Sequence, residues 1–387
     1  MVNQKHKKLR VGMITGVLGK GGAEKQLFYI VQSLKKASVE VKVFSLTKNE
    51  YYENKIKNLG IEIVWVGKLK SPILRMIIIL IHLARFKPDL IYSTHFFSNL
   101  YAAVVGKILR VVSIGSIRSD LIHEISKNGK WGKLLMRWPT VMVVNSYQAL
   151  ENAFLMGENT ERIFILPNYI NLFEFDQFLQ KPLQKLEKKG KISLVLVARL
   201  DKAKRIDRFI QLMASLRKQK KEVVGWVVGT GPEYEDLKKL SKDLGLIEND
   251  LLFLGQRDDI PNILNQSDVF VLTSEHEGFS NVLLEAMAAS LPVVTTSAGD
   301  SEKIILNGEN GFVVKQNDKD QLINKVDLLI ESEDLREKMG SAGRKIVEKQ
   351  YDINNLDKKL KDVLISMANY SKDQKLIKKT SQFDGMV

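Results

Sequence analysis

Two carboxylates, Glu277 and Glu285, stand with seven residues between them on either side of the turn Gly278-Phe279-Ser280. A helical pattern runs from Asn281 to Ala289, and Ser280 is placed to cap it. The start of a helix points unpaired N–H groups and the positive end of its dipole outward, which favours a phosphate. The carboxylates could hold hydroxyl groups on either side of that phosphate. This combination indicates a sugar phosphate or a nucleotide sugar rather than phosphate alone.

The elements around this turn form a βαβ unit. Buried strand patterns cover Asp268 to Leu272 before the helix and Pro292 to Thr296 after it. Parallel units of this kind cross over right-handed, so the turn at Glu277 opens at the carboxyl edge of a sheet. Open α/β sheets bind their ligands at that edge. The sequence therefore predicts a ligand crevice beside Glu277.

A basic pair follows another strand pattern, Ile192 to Val197. Arg199 stands at the end of that strand and Lys204 at the start of the next helix. Both cations could converge on an anion in the same crevice, because Arg offers a fork to two oxygens and Lys a compact charge. A basic surface cluster is the alternative interpretation. Gly229 ends the following strand in Gly-Thr-Gly-Pro, either as a ligand loop or as a plain turn.

A glycine-rich turn with Gly21 and Gly22 separates the first strand pattern, Leu9 to Thr15, from a helix that starts near Glu24. Glycine lets the backbone approach a ligand closely, beside the N–H groups of the helix. The spacing does not match the dinucleotide-binding fingerprint, and Glu24 comes too early to hold a ribose. A tight connection is the alternative interpretation.

The chain of 387 residues is long enough for two domains with separate cores. Apolar runs without strict alternation separate helical patterns in both halves, which indicates parallel sheets covered on both faces. We expect two Rossmann-like, doubly wound α/β domains, at 1–175 and 190–350, facing each other across a cleft that forms the active site. A helix at about 354–370 is expected to pack back on the first domain, and residues 371–387 to form a disordered tail.

The charge is distributed unevenly. Residues 1–175 carry 25 Lys and Arg against 12 Asp and Glu, and so account for 13 of the 14 net positive charges. A nucleic acid, an anionic membrane surface, an anionic substrate or simply a solvated surface could explain this excess. Cysteine is absent, which excludes disulfides, zinc–thiolate sites and thiol nucleophiles.

Taken together, Gly-Gly-Ala-Glu near the start, Arg199 with Lys204, Gly-Thr-Gly-Pro, and Glu277 with Glu285 resemble glycosyltransferase family 4, retaining enzymes of the GT-B fold. The order and spacing match over nearly the whole chain, and Pro167-Asn168 resembles the Pro-Asn-Gly segment of the family. The resemblance implies transfer of a hexosyl or N-acetylhexosaminyl group from a nucleotide sugar, in the first place a UDP-sugar. The acceptor would be a glycan or lipid-linked molecule in the synthesis of capsule, cell-surface polysaccharide or glycolipid.

The resemblance also implies a role for each matching position. Arg199 and Lys204 would bind the donor pyrophosphate, Glu285 the ribose, and Glu277 the transferred sugar. The backbone of Gly278, Phe279 and Ser280 would contact the phosphates, and Gly229 would lie beside them. Gly21 and Gly22 would close over the donor from the other domain. No cofactor and no metal ion is then expected, because protein cations and helix N-termini stabilise the leaving diphosphate.

Two further residues are candidates for the cleft. Arg118 stands where many relatives carry a histidine, after the fifth strand of the first domain, and could hold an anionic acceptor or a donor phosphate. A salt bridge with Asp120 is the alternative. His95 follows the fourth strand and is the remaining histidine candidate, either handling a proton, holding a hydroxyl, or only hydrogen-bonded within the crevice.

The amino-terminal domain would bind the acceptor, and it is also the basic one. Residues 68–87 combine an apolar helix with basic ends, which suits either contact with an anionic leaflet or, as we favour, a helix packed in the core. Residues 130–138 mix Lys and Arg with Trp131 and Trp138, which favours contact with an anionic leaflet. The apolar run is too short to span a bilayer. We therefore expect a cytoplasmic protein that is peripheral on the inner face of the cell membrane.

Two other functions stay open. A GT-B relative that epimerises a nucleotide sugar would need a base and no separate acceptor domain, which the basic first half disfavours. A nucleic-acid-binding protein would explain the charge, but the sequence shows no basic recognition helix and no motif of stacking aromatics. No nucleic-acid partner is therefore expected.

Overall fold

The computed structural model describes residues 8–180, 185–188 and 190–380. The chain divides into two compact units, a first unit of Met1–Tyr169 with Ile353–Val387 and a second unit of Ile170–Asp352. The division falls at Tyr169 and Ile170, earlier than the end at residue 175 expected from the sequence. The polar, lysine-rich stretch at 180–191, which the sequence indicates as the linker between the domains, lies partly outside the described residues.

Seven parallel strands form the sheet of the first unit, in the order β3-β2-β1-β4-β5-β6-β7. The central strands are buried on both faces, which is why their sequences are apolar without alternation. The strands are β1 (Arg10–Thr15), β2 (Glu40–Ser45), β3 (Glu62–Trp65), β4 (Leu90–Ser93), β5 (Val112–Ile117), β6 (Val141–Val144) and β7 (Ile163–Ile165).

Helices cover both faces of this sheet. Leu90 and Tyr92 of β4 join one core cluster and Ile91 joins another, as expected when successive side chains point to opposite faces. The helices up to β7 are α1 (Gly22–Lys36), α2 (Tyr51–Asn58), α3 (Pro72–Phe86), α4 (Asn99–Leu109), α5 (Leu121–Lys127), α6 (Gly132–Arg137) and α7 (Tyr147–Leu155). Helix α1 packs against the first cluster, and α3 and α4 pack against the second.

The second unit repeats this plan with six parallel strands in the order β10-β9-β8-β11-β12-β13. The strands are β8 (Ile192–Val197), β9 (Val223–Val228), β10 (Leu251–Gly255), β11 (Val269–Leu272), β12 (Val293–Thr296) and β13 (Gly311–Val314). The helices are α8 (Leu172–Leu179), α9 (Ile206–Lys218), α10 (Tyr234–Asp243), α11 (Ile260–Asn265), α12 (Asn281–Ala288), α13 (Ser301–Ile304), α14 (Lys319–Glu331) and α15 (Glu333–Ile346).

The last two helices, α16 (Asn354–Ser371) and α17 (Gln374–Thr380), belong to the first unit. Leu360 and Leu364 of α16 and Leu376 of α17 join the core cluster that contains α1. The expectation of a disordered tail from residue 371 is therefore wrong for residues 374–380. Although its sequence is polar, α17 contains the buried Leu376 and two lysines, Lys375 and Lys379, that pair with the buried carboxylate of Asp89. Residues 381–387 lie outside the described part of the chain.

In both sheets the order of the strands reverses beside the first strand of the unit. Strand β1 lies between β2 and β4, and β8 lies between β9 and β11. Ligands of doubly wound folds bind at the carboxyl ends of the strands at such a reversal point. The two doubly wound α/β folds predicted from the sequence are thus confirmed, and each has a crevice position defined by its topology.

No helix in the described ranges has both the length and the hydropathy that a membrane span requires. Helix α3, which carries the most apolar run of the chain, has 15 residues.

Candidate active site

The loops that follow β8 and β11 flank the reversal point of the second sheet and are joined by hydrogen bonds. The hydroxyl of Thr273 lies 2.8 Å from the carbonyl oxygen of Arg205 and 3.3 Å from that of Lys204. The backbone N–H of Glu275 donates to the carbonyl oxygen of Ala203 at 2.8 Å. Thr273 is fully buried, so water does not compete for these bonds. The two loops are therefore held side by side.

This arrangement brings Lys204 onto Glu277. The Nζ atom of Lys204 lies 2.7 Å from Oε1 of Glu277, and the hydroxyl of Ser274 donates to the same oxygen at 2.7 Å. The side chains are only 24% and 11% exposed, so the pair is largely shielded from water. The structure thus joins two residues that are 73 positions apart in the sequence.

Helix α12 begins directly after the turn at Gly278, Phe279 and Ser280. Ser280 occupies the N-cap position with an extended backbone, but its hydroxyl accepts no bond from the first turn of the helix. The expected side-chain cap is therefore wrong, because capping needs a suitable rotamer as well as the right backbone position. Phe279 is buried and packs its ring 5.4 Å from that of Tyr351, so only its backbone is available to a ligand. Glu285 lies half-buried on the second turn of the helix.

A glycine from a neighbouring loop packs against Gly278. Gly299, after β12, has a φ of +58°, a left-handed conformation that favours glycine. A Cβ atom at Gly299 would collide with the carbonyl oxygen of Gly278 and approach Glu277. The N–H of Asp300 donates to that same carbonyl oxygen at 3.0 Å. The loop after β12 thus fixes the backbone next to Glu277.

Two polar side chains bond to the backbone of the same turn, the buried Arg208 and the partly buried Gln316. The Nε2 atom of Gln316, which follows β13, lies 3.3, 3.1 and 2.8 Å from the carbonyl oxygens of Ser274, Glu275 and Ser297. Its Oε1 atom accepts from Arg208 of α9 at 3.0 Å, and the same guanidinium donates to the carbonyl oxygen of Thr273 at 3.1 Å. Burial lowers the pKa of Arg208, and the nearby Arg205 cation acts in the same direction. These bonds connect the ends of three strands.

Arg199 and Gly229 lie at the same edge, but with different contacts. The side chain of Arg199 is 74% exposed and 3.9 Å from a carboxylate oxygen of Asp201. The structure therefore does not bring it onto Glu277 together with Lys204. Gly229 has a φ of +135°, and a Cβ atom there would collide with the carbonyl oxygen of Ala198. It permits close packing of the loops after β8 and β9.

In the first unit, His95 lies at the reversal point beside β1. The backbone N–H of Gly16 donates to its Nδ1 atom at 3.2 Å. Because an N–H group can only donate, Nδ1 must accept and the ring proton lies on Nε2. The Nε2 atom is 3.2 Å from Oε1 of Glu24, and both side chains are mostly buried. The structure therefore pairs the predicted histidine with a carboxylate.

Gly21 and Gly22 form the start of α1, next to this pair. Gly21 is the N-cap residue and accepts a backbone bond from Lys25 at 3.0 Å. A Cβ atom at Gly21 would collide with the carboxylate of Glu24. A side chain at Gly21 would therefore have to move the Glu24 carboxylate from its place beside His95.

Arg118 lies at the end of β5 and contacts two polar side chains of the first unit. Its guanidinium donates to Oδ1 of Asn168 and to the hydroxyl of Tyr92, both at 3.2 Å. The alternative of a salt bridge with Asp120 is not what the structure shows, because Asp120 caps α5 by accepting from His123. The buried Nε atom of Arg118 has no hydrogen-bond partner among the described residues.

Four residues near these sites were not recognised from the sequence as functional, namely Glu24, Ser274, Arg208 and Gln316. Glu24 was judged only against the spacing for a ribose carboxylate, although its position in the first turn of α1 could have suggested a partner for His95. Gln316 is 42 positions from Ser274, and no local pattern connects them. Only the packing of three strand ends reveals that pair.

The sequence matches two protein-family profiles. Residues 20–173 match Glycosyltransferase Family 4, and residues 179–346 match Glycosyl transferases group 1. The capsular polysaccharide biosynthesis glycosyltransferase CapM of Staphylococcus aureus is 26% identical over 83% of this chain and 88% of its own length. N-acetyl-alpha-D-glucosaminyl L-malate synthase of Bacillus anthracis is 30% identical over 47% of this chain. That alignment spans about half of the synthase, 48% of its length.

A solved structure shows the same fold. The structure of HepE from Anabaena in complex with UDP-glucose superposes with a TM-score of 0.81 and 21% identity, covering 92% of this chain and all of HepE. The fold and the paired family matches define a GT-B glycosyltransferase. More narrowly, the chain belongs to glycosyltransferase family 4.

Proposed function

We propose that the protein is a retaining glycosyltransferase that moves a sugar from a nucleotide-sugar donor to a glycan or lipid-linked acceptor. The observation that carries this proposal is the Lys204–Glu277 pair, held at 2.7 Å at the carboxyl edge of the second sheet. A cation that can bind phosphate thus lies beside a carboxylate that can bind sugar hydroxyls, at the edge where doubly wound sheets bind ligands. A site for phosphate alone would have no use for this carboxylate.

The contacts of Glu277 support a role with the transferred sugar. Among the described residues, both Lys204 and Ser274 bond to Oε1, which leaves Oε2 for a sugar hydroxyl. The ammonium group of Lys204 has three N–H donors, so it can bind a phosphate oxygen while it keeps Glu277 in place. We assign Glu285 on α12 to the ribose, and the backbone of Gly278, Phe279 and Ser280 to the diphosphate.

The donor is proposed to be a UDP-sugar. HepE, which has the same fold, binds UDP-glucose. Arg199 is exposed and only loosely paired, so its fork can turn onto the pyrophosphate once a donor is present. Gly229 would border the donor. Contact of Gly21 and Gly22 with it stays a prediction.

The proposed chemistry exchanges one bond to the anomeric carbon of the sugar for another. The bond from that carbon to the diphosphate oxygen breaks, and a bond to the acceptor hydroxyl oxygen forms on the same face. The leaving phosphate oxygen takes the acceptor proton, so no protein base is required. Lys204 and Arg199 stabilise the charge that develops on the diphosphate. We include independence from divalent metal ions in the proposal, because these cations supply the charge that a metal would otherwise provide.

The acceptor is proposed to bind the first unit. His95 with Glu24 offers a hydrogen-bonded polar pair at the crevice of its sheet, and Arg118 offers a cation. CapM acts in capsular polysaccharide biosynthesis, which supports an acceptor from cell-surface polysaccharide synthesis. Such an acceptor fits a protein that is peripheral on the inner face of the cell membrane.

The test is donor turnover by the purified protein. A panel of UDP- and GDP-sugars is assayed for nucleotide release, with and without a membrane lipid extract, and the product anomer is read by NMR. Glu277→Ala and Lys204→Ala are expected to lower kcat about 10²- to 10³-fold, the loss that follows removal of one charge-stabilising group. Addition of a chelator is expected to leave the rate unchanged.

Matched controls are Lys202→Ala and Glu275→Gln, because both side chains are exposed and near the site. Both variants are expected to retain the wild-type rate. Full activity in the Glu277→Ala and Lys204→Ala double variant would contradict the proposal. A product with the inverted anomer would contradict retention, and conversion of the donor sugar without transfer would favour an epimerase.

A further inference from the structure

The exposed apolar side chains of this protein are concentrated in the first unit. Of the large apolar side chains that are exposed among the described residues, fourteen lie in the first unit and four in the second. Single exposed apolar residues are normal on protein surfaces, whereas contiguous sets indicate a binding surface. The distribution therefore indicates that a binding surface is to be looked for in the first unit.

Helix α3 carries the most regular of these sets. Ile73, Leu74, Ile77 and Ile81 are 71%, 49%, 45% and 44% exposed. At 100° per residue these positions fall within one 100° sector of the helix. Ile79 on the opposite side is fully buried. Helix α3 therefore packs on the core through Ile79 and Leu83, as expected, and leaves its other side exposed, because an apolar helix on the outside of a sheet can bury only one of its sides.

Other exposed apolar residues lie on the same side of the sheet. Strand β6 places Val141 and Val143 in the cluster with α1, and Met142 and Val144 in the cluster with α5, α6 and α7. Because β4 divides its residues in the same way, the helices from α3 to α7 lie on one side of the sheet, and we name the part formed by α3, α4, α5 and α6 the outer helix layer. Its exposed apolar residues besides those of α3 include Ile108, Ile122 and Trp131, and Trp138 directly follows it.

The outer helix layer is also strongly basic. Residues 68–137, which contain it, carry 12 Lys and Arg against three Asp and Glu. All three carboxylates have partners within the unit. Asp89 pairs with two lysines of α17, Asp120 caps α5, and Glu124 accepts from the hydroxyl of Ser119 at 2.7 Å. The layer therefore presents a surface that combines apolar side chains with positive charge.

We propose that the outer helix layer docks on an anionic lipid bilayer, with the exposed side of α3 inserted at the interface. Apolar residues flanked by cations match a membrane surface, where acyl chains lie beneath anionic headgroups. Lys68 and Lys70 precede α3 and Lys87 follows it, so the cations can reach headgroups at both ends of the inserted helix. A lipid-linked acceptor would reach the first unit along this surface, and that consequence rests on the proposed function.

A second copy of the chain is the other candidate occupant. A symmetric dimer through this surface would place two equally basic layers against each other, because the same patch meets itself across a two-fold axis. Like charges that face each other at an interface are unfavourable. The charge therefore favours a bilayer over self-association.

The test is flotation of the full-length protein with vesicles, in the absence of donor. Vesicles of phosphatidylglycerol with phosphatidylcholine are compared with vesicles of phosphatidylcholine alone. Ile73→Ser with Ile77→Ser is expected to lower the partition into anionic vesicles at least about tenfold, since two apolar side chains lose their burial. Lys130→Ala with Lys133→Ala is expected to lower it by roughly an order of magnitude and to weaken its salt dependence.

Ile247→Ser is the matched control, because Ile247 is 56% exposed in the second unit. Thermal unfolding of each variant shows whether it folds. Equal partition of the wild type and the α3 variant would overturn the proposal. The proposal would also be overturned if the protein does not bind vesicles but forms a dimer in sedimentation experiments, and if the α3 substitutions abolish that dimer. Donor hydrolysis without vesicles is measured in parallel, so the docking proposal and the proposed function can fail separately.

Discussion

The position of the Glu277 carboxylate depends on the residues that bond to it and to the turn that carries it. Lys204 and Ser274 bond to one of its oxygens, and the turn that carries it is fixed by bonds to backbone carbonyl groups. A site of this kind requires that the reactive geometry be held before the substrate arrives. Gln316 takes part in that support, because its amide nitrogen lies within hydrogen-bond distance of three carbonyl oxygens.

Replacing Gln316 tests whether this support matters for catalysis. Gln316→Ala is expected to lower kcat about tenfold or more with a smaller change in KM, because a misplaced Glu277 affects the transition state more than binding. Gln316→Glu is expected to be worse than Gln316→Ala, since its carboxylate would face three carbonyl oxygens and could not donate when ionised. Steady-state kinetics with the preferred donor measures both effects.

The control for this prediction is Gln177→Ala, at an exposed position of α8. It is expected to match the wild type in kcat and in thermal stability. If Gln316→Ala loses stability but keeps kcat, Gln316 has only a structural role. Equal kinetics of Gln316→Ala and Gln316→Glu would contradict the proposed donation to the carbonyl oxygens.

At the scale of elements, α17 shows how one buried carboxylate can determine the position of a helix. Asp89 precedes β4 and is 3% exposed, and Lys375 and Lys379 of α17 approach its two oxygens at 2.8 and 2.6 Å. Burial alone would raise the pKa of Asp89. The hydrogen bonds from both lysines and from the N–H of Arg10 outweigh it, so the pKa lies below its usual value.

Removing this charge is expected to release α17. Asp89→Asn leaves two lysines without their counter-ion, so amide hydrogen exchange in residues 374–380 should accelerate, while that of α16 changes little. Hydrogen exchange with mass spectrometry measures this difference. Asp357→Asn removes the partner of Lys36, which is 66% exposed, and is expected to have no such effect on α17.

The same contact sets a pH dependence. A carboxylate with a lowered pKa in the folded state contributes stability above its unfolded pKa of about 3.9, and that contribution is lost as the pH falls through the folded value. Exchange in α17 of the wild type should therefore accelerate on acidification below about pH 4, after correction for intrinsic exchange rates. The Asp89→Asn variant should show no such transition. A wild-type transition above neutral pH would contradict the assignment to Asp89.

At the scale of the whole molecule, the two units differ in the surfaces they offer. The second unit carries the Lys204–Glu277 pair, whereas the first carries most of the positive charge and most of the exposed apolar residues. We therefore expect the donor nucleotide to bind the second unit and the membrane to contact the first. A division of this kind lets each partner be recognised by its own surface chemistry.

Added UDP is expected to reveal this division. It should slow amide exchange in residues 198–205 and 273–281, because a bound ligand stabilises the loops that it contacts. Helix α3 should be unaffected by UDP and protected by anionic vesicles. Hydrogen exchange with mass spectrometry measures both effects in one protein. Protection by UDP confined to the first unit would contradict the assignment of the donor.

Local sequence patterns are enough to predict the fold class and the family. Apolar runs and helical periods are local properties, so the two doubly wound sheets could be predicted, and so could the placement of Glu277 and Lys204 after strand ends. The family matches over residues 20–173 and 179–346 confirm the family, and the roles of the motif residues from Gly21 to Glu285 stay predictions. Domain ends and the last helix were less predictable, because a polar helix such as α17 depends on distant partners.

Which side chains contact each other could not be predicted from these local patterns. The bonds from Gln316 to the turn at Ser274, from Lys204 to Glu277, and from His95 to Glu24 all join residues more than 40 positions apart. The exposure of a side chain also depends on residues that are distant in the sequence. An apolar helix such as α3 has the same sequence whether one of its sides or both are covered, and the layer in which it lies decides between these outcomes. Periodicity encodes the elements, whereas long-range packing decides what each side chain contacts.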